Sequence, residues 1–377
     1  MRLDRLRVVY LVSTLRRAGP TSQLLNLLRH LDATRFDPVI VTLAPEPGDS
    51  MQPAFDALGT PVRTLAMSRL RAVVNQGWRR DIERALRAPL GRHCVVHSQG
   101  IRSDVIASRH LTGVPRVATA RNYPCDDYPL KFGRLPGTWM ARTHLRAFRA
   151  LPNVIACSST LAGMLSGQGI AAAVIPNGVD TTKFRPAAPA ERAELRSRLG
   201  LPATARIGVV VGALAARKDP ALIVRALRLI DDPEIVLLFL GDGPLKAECR
   251  RAADGDVRIR FLGQVADVTP YLRAADFLVS ASRSEGLPNA VLEALACGLR
   301  AVLTDIGPHR EILELAPDLG ETVPVGAESA LATAIACIGP AFASTHDAGL
   351  YGLLGAERMS HRYQDLYQRL AAAGAQR

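Results

Sequence analysis

The sequence predicts an α/β protein made of two doubly wound domains, each built on a parallel sheet. Short apolar runs typical of strands alternate with helical patterns along almost the whole chain, which is the order of parallel sheets covered on both faces. With 377 residues the chain is too long for one ordinary core. A proline-bounded segment at 176–186 separates two such series, so we expect domains at 1–178 and 179–355 and a final segment at 356–377.

Each series has five predicted strands. The first series has them at 7–12, 38–43, 94–97, 116–120 and 153–157, with helical patterns such as 23–31 and 80–87 between them. The second has them at 207–211, 235–240, 258–262, 277–280 and 300–303. A last amphipathic helix is predicted at 357–370, where Tyr363, Leu366, Tyr367 and Leu370 recur at helical spacing.

Composition narrows the class of protein. No apolar run approaches the eighteen or so residues of a membrane helix, and residues 8–12 suit a first strand better than a signal peptide, so a cytoplasmic protein is predicted. Six scattered cysteines lack zinc-ligand spacing, and we expect reduced thiols without a metal or disulfide role. The D-x-D at Asp254 is expected in a turn before a strand.

Two carboxylates, Glu285 and Glu293, bracket a predicted junction of loop and helix. Pro288 suits the first helical residue and Gly298 the helix end, so a helix of about ten residues is expected between them. The N-terminus of a helix favours an anion such as a diphosphate, and flanking carboxylates accept hydrogen bonds from hydroxyls. This combination suits a nucleotide sugar; the alternative is two solvated glutamates near a helix start.

The junction at 284–298 resembles the E-x7-E signature of retaining glycosyltransferases with the GT-B fold. Residues 301–312 resemble the strand and turn that follow it in glycosyltransferase family 4, and 174–186 is similar to the interdomain linker of that family. The likeness extends from about residue 6 to about 372. It implies two Rossmann-like domains facing a cleft, the first for the acceptor and the second for the nucleotide-sugar donor, with the last helix crossing back to the first domain.

The resemblance also implies a donor site. Lys218 matches the family lysine on the diphosphate, and Arg217 beside it is expected to replace a family arginine that is Ala213 here. Glu285 would hold the hexose and Glu293 the ribose, with Lys218 and Glu285 as the catalytic pair. The complete predicted donor set is Arg217, Lys218, Glu285, Gly286, Leu287, Pro288, Asn289, Glu293, Val265 and Gly19.

On the acceptor side the predicted residues are His97, Arg121 and Asn122, which end the third and fourth strands. Arg121 stands where many relatives have histidine, and His97 is equally compatible with a core histidine. Near Gly19 the alternatives are a backbone anion site and a plain turn in which Thr21 or Ser22 caps the helix.

The predicted function is retaining transfer of a hexose from a UDP- or GDP-linked donor, with no cofactor and no metal. The acceptor would be a glycan or a polyprenyl-diphosphate-linked saccharide in cell-surface polysaccharide biosynthesis. Two alternatives remain open: a non-catalytic nucleotide-sugar-binding protein derived from a transferase, and a nucleotide-sugar 2-epimerase. Gly241-Asp242-Gly243 continues with Lys246 where a dinucleotide fingerprint has its third glycine, so no nicotinamide or flavin is expected.

Charge is divided unequally along the chain. Residues 1–180 hold 24 Lys and Arg against 12 Asp and Glu, so the entire formal excess of +12 lies in this half. Arginines cluster at 68–92 and again at 131–149, where Arg142, Arg146 and Arg149 alternate with Trp139, Met140, Leu145 and Phe148. We expect peripheral attachment to the cytoplasmic face of an anionic membrane, and no nucleic-acid partner. The alternative is an ordinary helix with its apolar face on the sheet.

Overall fold

The computed structural model describes residues 5–65, 90, 94–339, 352 and 354–375. The chain forms two compact units. Met1–Gly178 with Ala356–Arg377 makes the first, and Val179–Gly355 makes the second. The boundary between Gly178 and Val179 lies inside the segment at 176–186 noted in the sequence, and the three ranges match those expected. The helical pattern at 80–87 and the arginine cluster at 68–92, apart from Leu90, lie outside the described residues.

The first unit contains a parallel sheet of seven strands in the order β3-β2-β1-β4-β5-β6-β7. Its strands are β1 Leu6–Val12, β2 Phe36–Thr42, β3 Val62–Thr64, β4 Cys94–Gln99, β5 Arg116–Ala120, β6 Val154–Ala156 and β7 Ala173–Val174. The five predicted strands are present. The sequence analysis missed β3 and β7, which are only three and two residues long and lie at the two edges.

Helices follow these strands in alternation. They are α1 Gly19–Arg29, α2 Gln52–Asp56, α3 Ile101–His110, α4 Pro124–Phe132, α5 Arg134–Ala150 and α6 Ser159–Ser166. The last helix of the chain, Ala356–Ala375, belongs to the same unit and packs on α1, where Ser360 Oγ donates to the Leu27 carbonyl at 2.9 Å. Its Tyr363 and Tyr367 are fully buried in the core beside Tyr10 and Phe36. The return of this helix to the first domain is therefore confirmed.

The second unit contains a parallel sheet of six strands in the order β10-β9-β8-β11-β12-β13. Its strands are β8 Arg206–Val211, β9 Ile235–Leu240, β10 Ile259–Gly263, β11 Phe277–Ser280, β12 Arg300–Thr304 and β13 Gly320–Val323. The edge strand β13 was not predicted. Its helices are α7 Pro189–Arg198, α8 Pro220–Arg228, α9 Lys246–Ala253, α10 Thr269–Ala274, α11 Asn289–Ala296, α12 Gly307–Leu313 and α13 Glu328–Cys337. Ala356–Ala375 is accordingly α14.

The helix between the two glutamates is shorter than predicted. Helix α11 has eight residues and begins at Asn289, because Pro288 precedes it in an extended conformation with φ −74° and ψ 111°. Pro288 is thus the capping residue and not the first helical one. The predicted end is confirmed, since Gly298 adopts φ +75° directly after the last turn, a conformation that favours glycine.

No helix in the described part of the chain is long and apolar enough to cross a bilayer. Within the same residues, no group of three or more His, Cys, Asp or Glu side chains could hold a metal ion. The D-x-D at Asp254 lies in a turn, as predicted, and its two carboxylates pair with Arg228 and Arg258 at 3.1 and 2.7 Å.

Candidate functional site

Glu285 lies in the loop between β11 and α11, at the carboxyl end of the second sheet. Its side chain is buried, and the residue is only 8% exposed. Ser282 Oγ donates a hydrogen bond of 2.8 Å to Glu285 Oε1. A buried carboxylate requires compensating charge, because burial without a partner costs several kcal/mol.

Two cations supply that charge. Lys218 Nζ lies 2.6 Å from Glu285 Oε1, and Arg217 Nη1 lies 2.6 Å from Glu285 Oε2. Both cations come from the 3-10 turn Ala216–Lys218 that follows β8. Because β8 and β11 are neighbouring parallel strands, their carboxyl ends meet at the same edge of the sheet. Three residues that the sequence assigns to the donor site are therefore brought into one cluster.

The backbone fixes this arrangement as well. Arg217 Nη1 donates to the carbonyl of Ser284 at 2.7 Å, and the Arg283 N–H donates to the carbonyl of Arg217 at 2.8 Å. Burial of Glu285 opposes its ionisation, but the nearby charges of Lys218 and Arg217 outweigh burial and lower the pKa of the carboxyl to about 2. Glu285 is consequently an anion throughout the neutral range.

Glycines beneath the cluster allow two loops to touch. A Cβ on Gly241 would lie 1.9 Å from the Gly212 carbonyl oxygen, and one on Gly243 would lie 2.5 Å from that of Leu214. The Gly241-Asp242-Gly243-Pro244 segment is thus glycine-rich because it packs directly on the backbone that leads to Lys218. The sequence indicated only a tight turn here, since the partner backbone belongs to another loop.

Glu293 projects from α11 into a different environment and is partly exposed. Burial raises the pKa of its carboxyl to about 7, while Lys183 lowers it and Asp267 raises it. Lys183 and Asp267 form an ion pair of 2.9 Å and line a cavity of about 400 Å³ in the second unit. The two glutamates of the motif therefore have opposite character: one stays ionised and the other changes charge near neutrality.

A pH effect on stability follows from Glu293. The pKa of about 7 in the folded state exceeds the ordinary value of 4.5, so the folded state holds a proton that the unfolded chain has lost. The stability is therefore complete below about pH 4.5 and decreases as the pH rises through 7. We expect Glu293→Gln, which carries no charge, to melt at a higher temperature than the wild type at pH 8 and at a similar temperature at pH 4.5.

Melting curves of both proteins across this pH range test the expectation. The matched control is Glu314→Gln, which neutralises an exposed glutamate of the same unit. A difference between Glu293→Gln and the wild type that is the same at every pH would show that Glu293 does not bear this proton.

His309 is a residue of this region that the sequence analysis did not single out. It lies in the first turn of α12 and is fully buried. Its Nδ1 is 2.7 Å from the carbonyl of Thr304, so Nδ1 carries the proton and Nε2 is the acceptor. Nε2 has no hydrogen-bond partner within the described residues. Burial lowers the pKa of His309 to about 4, with Glu285 and Lys218 close enough to affect it.

The other predicted donor residues of the second unit lie at the same edge of its sheet. Gly286, Leu287 and Pro288 continue the loop from Glu285 to Asn289, the first residue of α11. Val265 is half-buried in the loop between β10 and α10. Their roles in donor binding stay predictions.

Gly19 and Arg121 are two of the predicted site residues that lie in the first unit. Gly19 is the first residue of α1, whose capping position is Ala18; Thr21 donates to the Arg16 carbonyl at 2.7 Å, so the suggested capping by Thr21 or Ser22 was wrong. Arg121 follows β5, and its Nη1 donates to Asn177 Oδ1.

His97 was predicted on the acceptor side, but it is a core histidine. It is fully buried, with Nδ1 2.7 Å from the hydroxyl of Tyr367 and Nε2 2.7 Å from Oγ1 of Thr119. It also stacks on the ring of Tyr363 at 5.2 Å. Both ring nitrogens are occupied by core partners, so the acceptor assignment is corrected, while Arg121 and Asn122 remain at the carboxyl end of β5.

Comparison with known proteins identifies the family. The profile described as Glycosyltransferase Family 4 matches residues 18–183, and the one described as Glycosyl transferases group 1 matches residues 205–338. The chain belongs to the family 4, group 1 glycosyltransferases. Together the two profiles include both predicted cations, Glu285 and Glu293.

Relatives of this glycosyltransferase family match parts of the chain. TuaC of Bacillus subtilis, which carries the name of a teichuronic acid biosynthesis glycosyltransferase, is 37% identical over 142 residues, 37% of this chain and 34% of that protein. A UDP-Gal:alpha-D-GlcNAc-diphosphoundecaprenol alpha-1,3-galactosyltransferase of Escherichia coli is 34% identical over 142 residues, 35% of this chain and 36% of that protein. These matches span about a third of each relative's length.

Solved structures extend the likeness to nearly the whole chain. Sucrose-phosphate synthase of Thermosynechococcus elongatus has a TM-score of 0.78 at 22% identity and covers 98% of this chain and 100% of its own. HepE of Anabaena, in complex with UDP-glucose, has a TM-score of 0.73 at 18% identity and covers 99% and 100%. At such low identity these comparisons show the fold, and they confirm the predicted GT-B fold.

Proposed function

We propose that this protein transfers a hexose, with retention of configuration, from a nucleoside diphosphate sugar to a hydroxyl of a glycan or lipid-linked saccharide. The observation that carries this proposal is the cluster of Glu285, Lys218 and Arg217 at the carboxyl ends of β8 and β11. Ligands of open parallel sheets bind at such edges. The family membership supports the reaction class, and biosynthesis of a cell-surface polysaccharide or glycolipid is the process in which the relatives' names place them.

The two cations provide the chemistry. When the bond between sugar and phosphate breaks, negative charge accumulates on the departing diphosphate, and fixed cations lower the energy of that state. Lys218 and Arg217 are already held in place by Glu285, so little reorganisation is needed during the reaction. In this proposal they take the part that a divalent cation plays elsewhere, and the reaction requires neither metal nor cofactor.

Glu285 then has two tasks. Its Oε1 already accepts from Ser282 and Lys218, while Oε2 accepts from Arg217 in the described contacts. A carboxylate oxygen has two lone pairs, so Oε2 can also accept from a hydroxyl of the hexose. Glu285 would position the cations and orient the sugar, and the acceptor hydroxyl would attack from the face that the phosphate leaves.

Glu293 is proposed to bind the ribose. Its ionised form can accept hydrogen bonds from two neighbouring hydroxyls. Because its pKa is about 7, the ionised form is substantially populated at neutral pH. Val265 would contact the base through its backbone. The donor is proposed to be UDP- or GDP-linked, since the names of two relatives specify UDP-Gal and GDP-mannose and HepE was crystallised with UDP-glucose.

The acceptor is proposed to be a saccharide on polyprenyl diphosphate, presented at the cytoplasmic face of a membrane. The E. coli relative is named for a substrate on diphosphoundecaprenol, and the excess positive charge of residues 1–180 suits an anionic lipid surface. Attachment would be peripheral.

Donor screening tests the proposal. We expect UDP- or GDP-sugars to raise the melting temperature, because a ligand at a hundred times its dissociation constant adds about 2.7 kcal/mol of stability. Slow release of free hexose in the absence of acceptor should follow, with Lys218→Ala nearly inactive. Arg225→Ala, which removes an exposed arginine paired with Glu328 in the same unit, is the matched control and should retain turnover.

Binding without any hydrolysis or transfer would indicate a non-catalytic nucleotide-sugar-binding protein. Absence of both binding and turnover in the folded protein would contradict the proposal.

A further inference from the structure

Large apolar side chains are concentrated at one exposed place in the first unit. Leu130, Phe132, Leu135 and Trp139 are 47%, 43%, 87% and 54% exposed. They occupy the end of α4, the turn after it and the start of α5, and we call residues 130–139 the α4–α5 tip. Four of the ten large hydrophobic side chains that are exposed in the described residues thus lie within ten positions, and a concentration of exposed apolar side chains marks an interaction site.

The tip is a rigid feature. Gly133 makes the turn between the helices with φ +87°, and its N–H donates to the Pro129 carbonyl at 3.1 Å. A Cβ on Gly137 would lie 2.4 Å from the Tyr128 carbonyl oxygen, so the backbones of α4 and α5 are in direct contact. Below the tip the Tyr128 hydroxyl is 2.7 Å from His144 Nδ1. The exposed side chains are therefore presented by a fixed scaffold.

A different face of α5 covers the core. Ala141, Leu145 and Phe148 are at most 3% exposed. The apolar face predicted for membrane contact included Leu145 and Phe148, and this part of the expectation was wrong because those side chains pack inside the unit. Of the two aromatic side chains in that predicted face, Phe148 is buried and Trp139 is exposed. Trp139 and the other tip residues are therefore free of the core and available for contact with a partner.

The surroundings of the tip are strongly basic. Residues 128–179 contain five Lys and Arg and no Asp or Glu. Lys131, Arg134, Arg142 and Arg146 are exposed, and Lys131 Nζ lies 5.3 Å from the ring centre of Phe132. The acidic residues nearest in sequence, Asp126 and Asp127 of α4, are partly and fully buried, so the exposed charges bordering the tip in α4 and α5 are cations. An apolar tip with such a border matches a surface that is apolar inside and anionic outside, which describes a bilayer with acidic headgroups.

We propose that the α4–α5 tip inserts its four apolar side chains among the headgroups of an anionic membrane. Lys131, Arg134 and Arg142 would bind the lipid phosphates around it. The inference deepens the proposed function, on which it rests, by naming the surface that brings the enzyme to a lipid-linked acceptor. Tryptophan suits this depth, because its ring combines an apolar body with a polar N–H.

Flotation with vesicles measures the effect. On phosphatidylethanolamine vesicles containing phosphatidylglycerol, we expect Leu135→Glu with Trp139→Glu to weaken binding at least about tenfold, because carboxylates do not enter the apolar layer and are repelled by anionic lipid. The matched control is Val257→Glu in the second unit, whose side chain is 86% exposed against 87% for Leu135, and which should bind like the wild type. Phosphatidylcholine vesicles should bind all three weakly.

Fluorescence locates the tip directly. The chain has two tryptophans, Trp78 and Trp139, so Trp78→Phe leaves Trp139 as the single reporter. Its emission should shift to the blue when anionic vesicles are added, and brominated acyl chains should quench it. Unchanged Trp139 emission on vesicles that do bind the protein would overturn the proposal, as would equal flotation of the wild type and the double variant.

Two further outcomes separate the alternatives. A blue shift that depends on protein concentration without lipid would indicate docking of a second copy and would also overturn the proposal. Donor hydrolysis in lipid-free solution should persist in the double variant. If the wild type showed no donor hydrolysis, that result would count against the proposed function alone, because flotation measures membrane binding by the tip independently of turnover.

Discussion

Lys218→Ala is expected to lower turnover roughly a hundredfold while donor affinity changes much less. The charge of Lys218 is most valuable when the diphosphate departs, and loss of one preorganised group of this kind costs on the order of 3 kcal/mol of transition-state stabilisation. The substitution leaves Arg217 on Glu285 Oε2, so the buried carboxylate retains one cation and the unit should remain folded. Turnover number and donor dissociation constant, measured separately, test the expectation.

Lys218→Arg is an informative companion, because it keeps the charge but changes its shape and reach. We expect it to recover part of the lost turnover. A Lys218→Ala enzyme that keeps nearly wild-type turnover would place the diphosphate elsewhere in the protein, and an equal loss in affinity and turnover would point to ordinary ground-state binding.

The sequence was sufficient to predict the parts of the structure that depend on local pattern. Alternation of apolar runs and helical spacing located the main strands of both sheets, because each buried parallel strand is apolar over most of its length. The short edge strands β3, β7 and β13 escaped, since two to four residues carry little pattern. The loop between the two glutamates was recognised from its residue types and spacing.

Contacts between distant segments were not predictable in the same way. The pairing of Glu285 with Arg217 and Lys218 depends on β8 and β11 being neighbours in the sheet. The order of strands in a sheet cannot be predicted from the residue pattern of any single strand. His97 has the same difficulty. Its position at the end of a strand indicates an accessible edge, but its partner Tyr367 comes from the last helix, 270 residues later.

Helix α5 shows the limit of amphipathic patterns. The spacing of Trp139, Leu145 and Phe148 identifies apolar positions, yet it does not tell which of them meet the core and which meet solvent. Burial separates them: Leu145 and Phe148 are inside, and Trp139 is 54% exposed. The first turns of α5 extend beyond the core that its later turns cover. Their apolar side chains are therefore exposed at the α4–α5 tip.

Glu285→Ala is expected to reduce turnover by about as much as Lys218→Ala, roughly 2–3 kcal/mol, although Glu285 bears the opposite charge. Without Glu285, both cations lose the carboxylate that holds them at 2.6 Å. Arg217 keeps its hydrogen bond to the Ser284 carbonyl, but Lys218 is no longer held in position before the donor arrives. Because the pKa of Glu285 is about 2, this loss should not vary between about pH 5 and 8. Glu285→Gln, which can still accept hydrogen bonds, should lose less.

The double variant decides how Glu285 acts. If Glu285 works mainly by positioning Lys218, removal of both side chains should cost little more than removal of Lys218 alone, with a coupling energy of about 1–3 kcal/mol. If Glu285 works only by holding the hexose, the two losses should add. Additive losses, together with a change in preference among sugars on the same nucleotide, would contradict the positioning role and leave Glu285 as a sugar ligand.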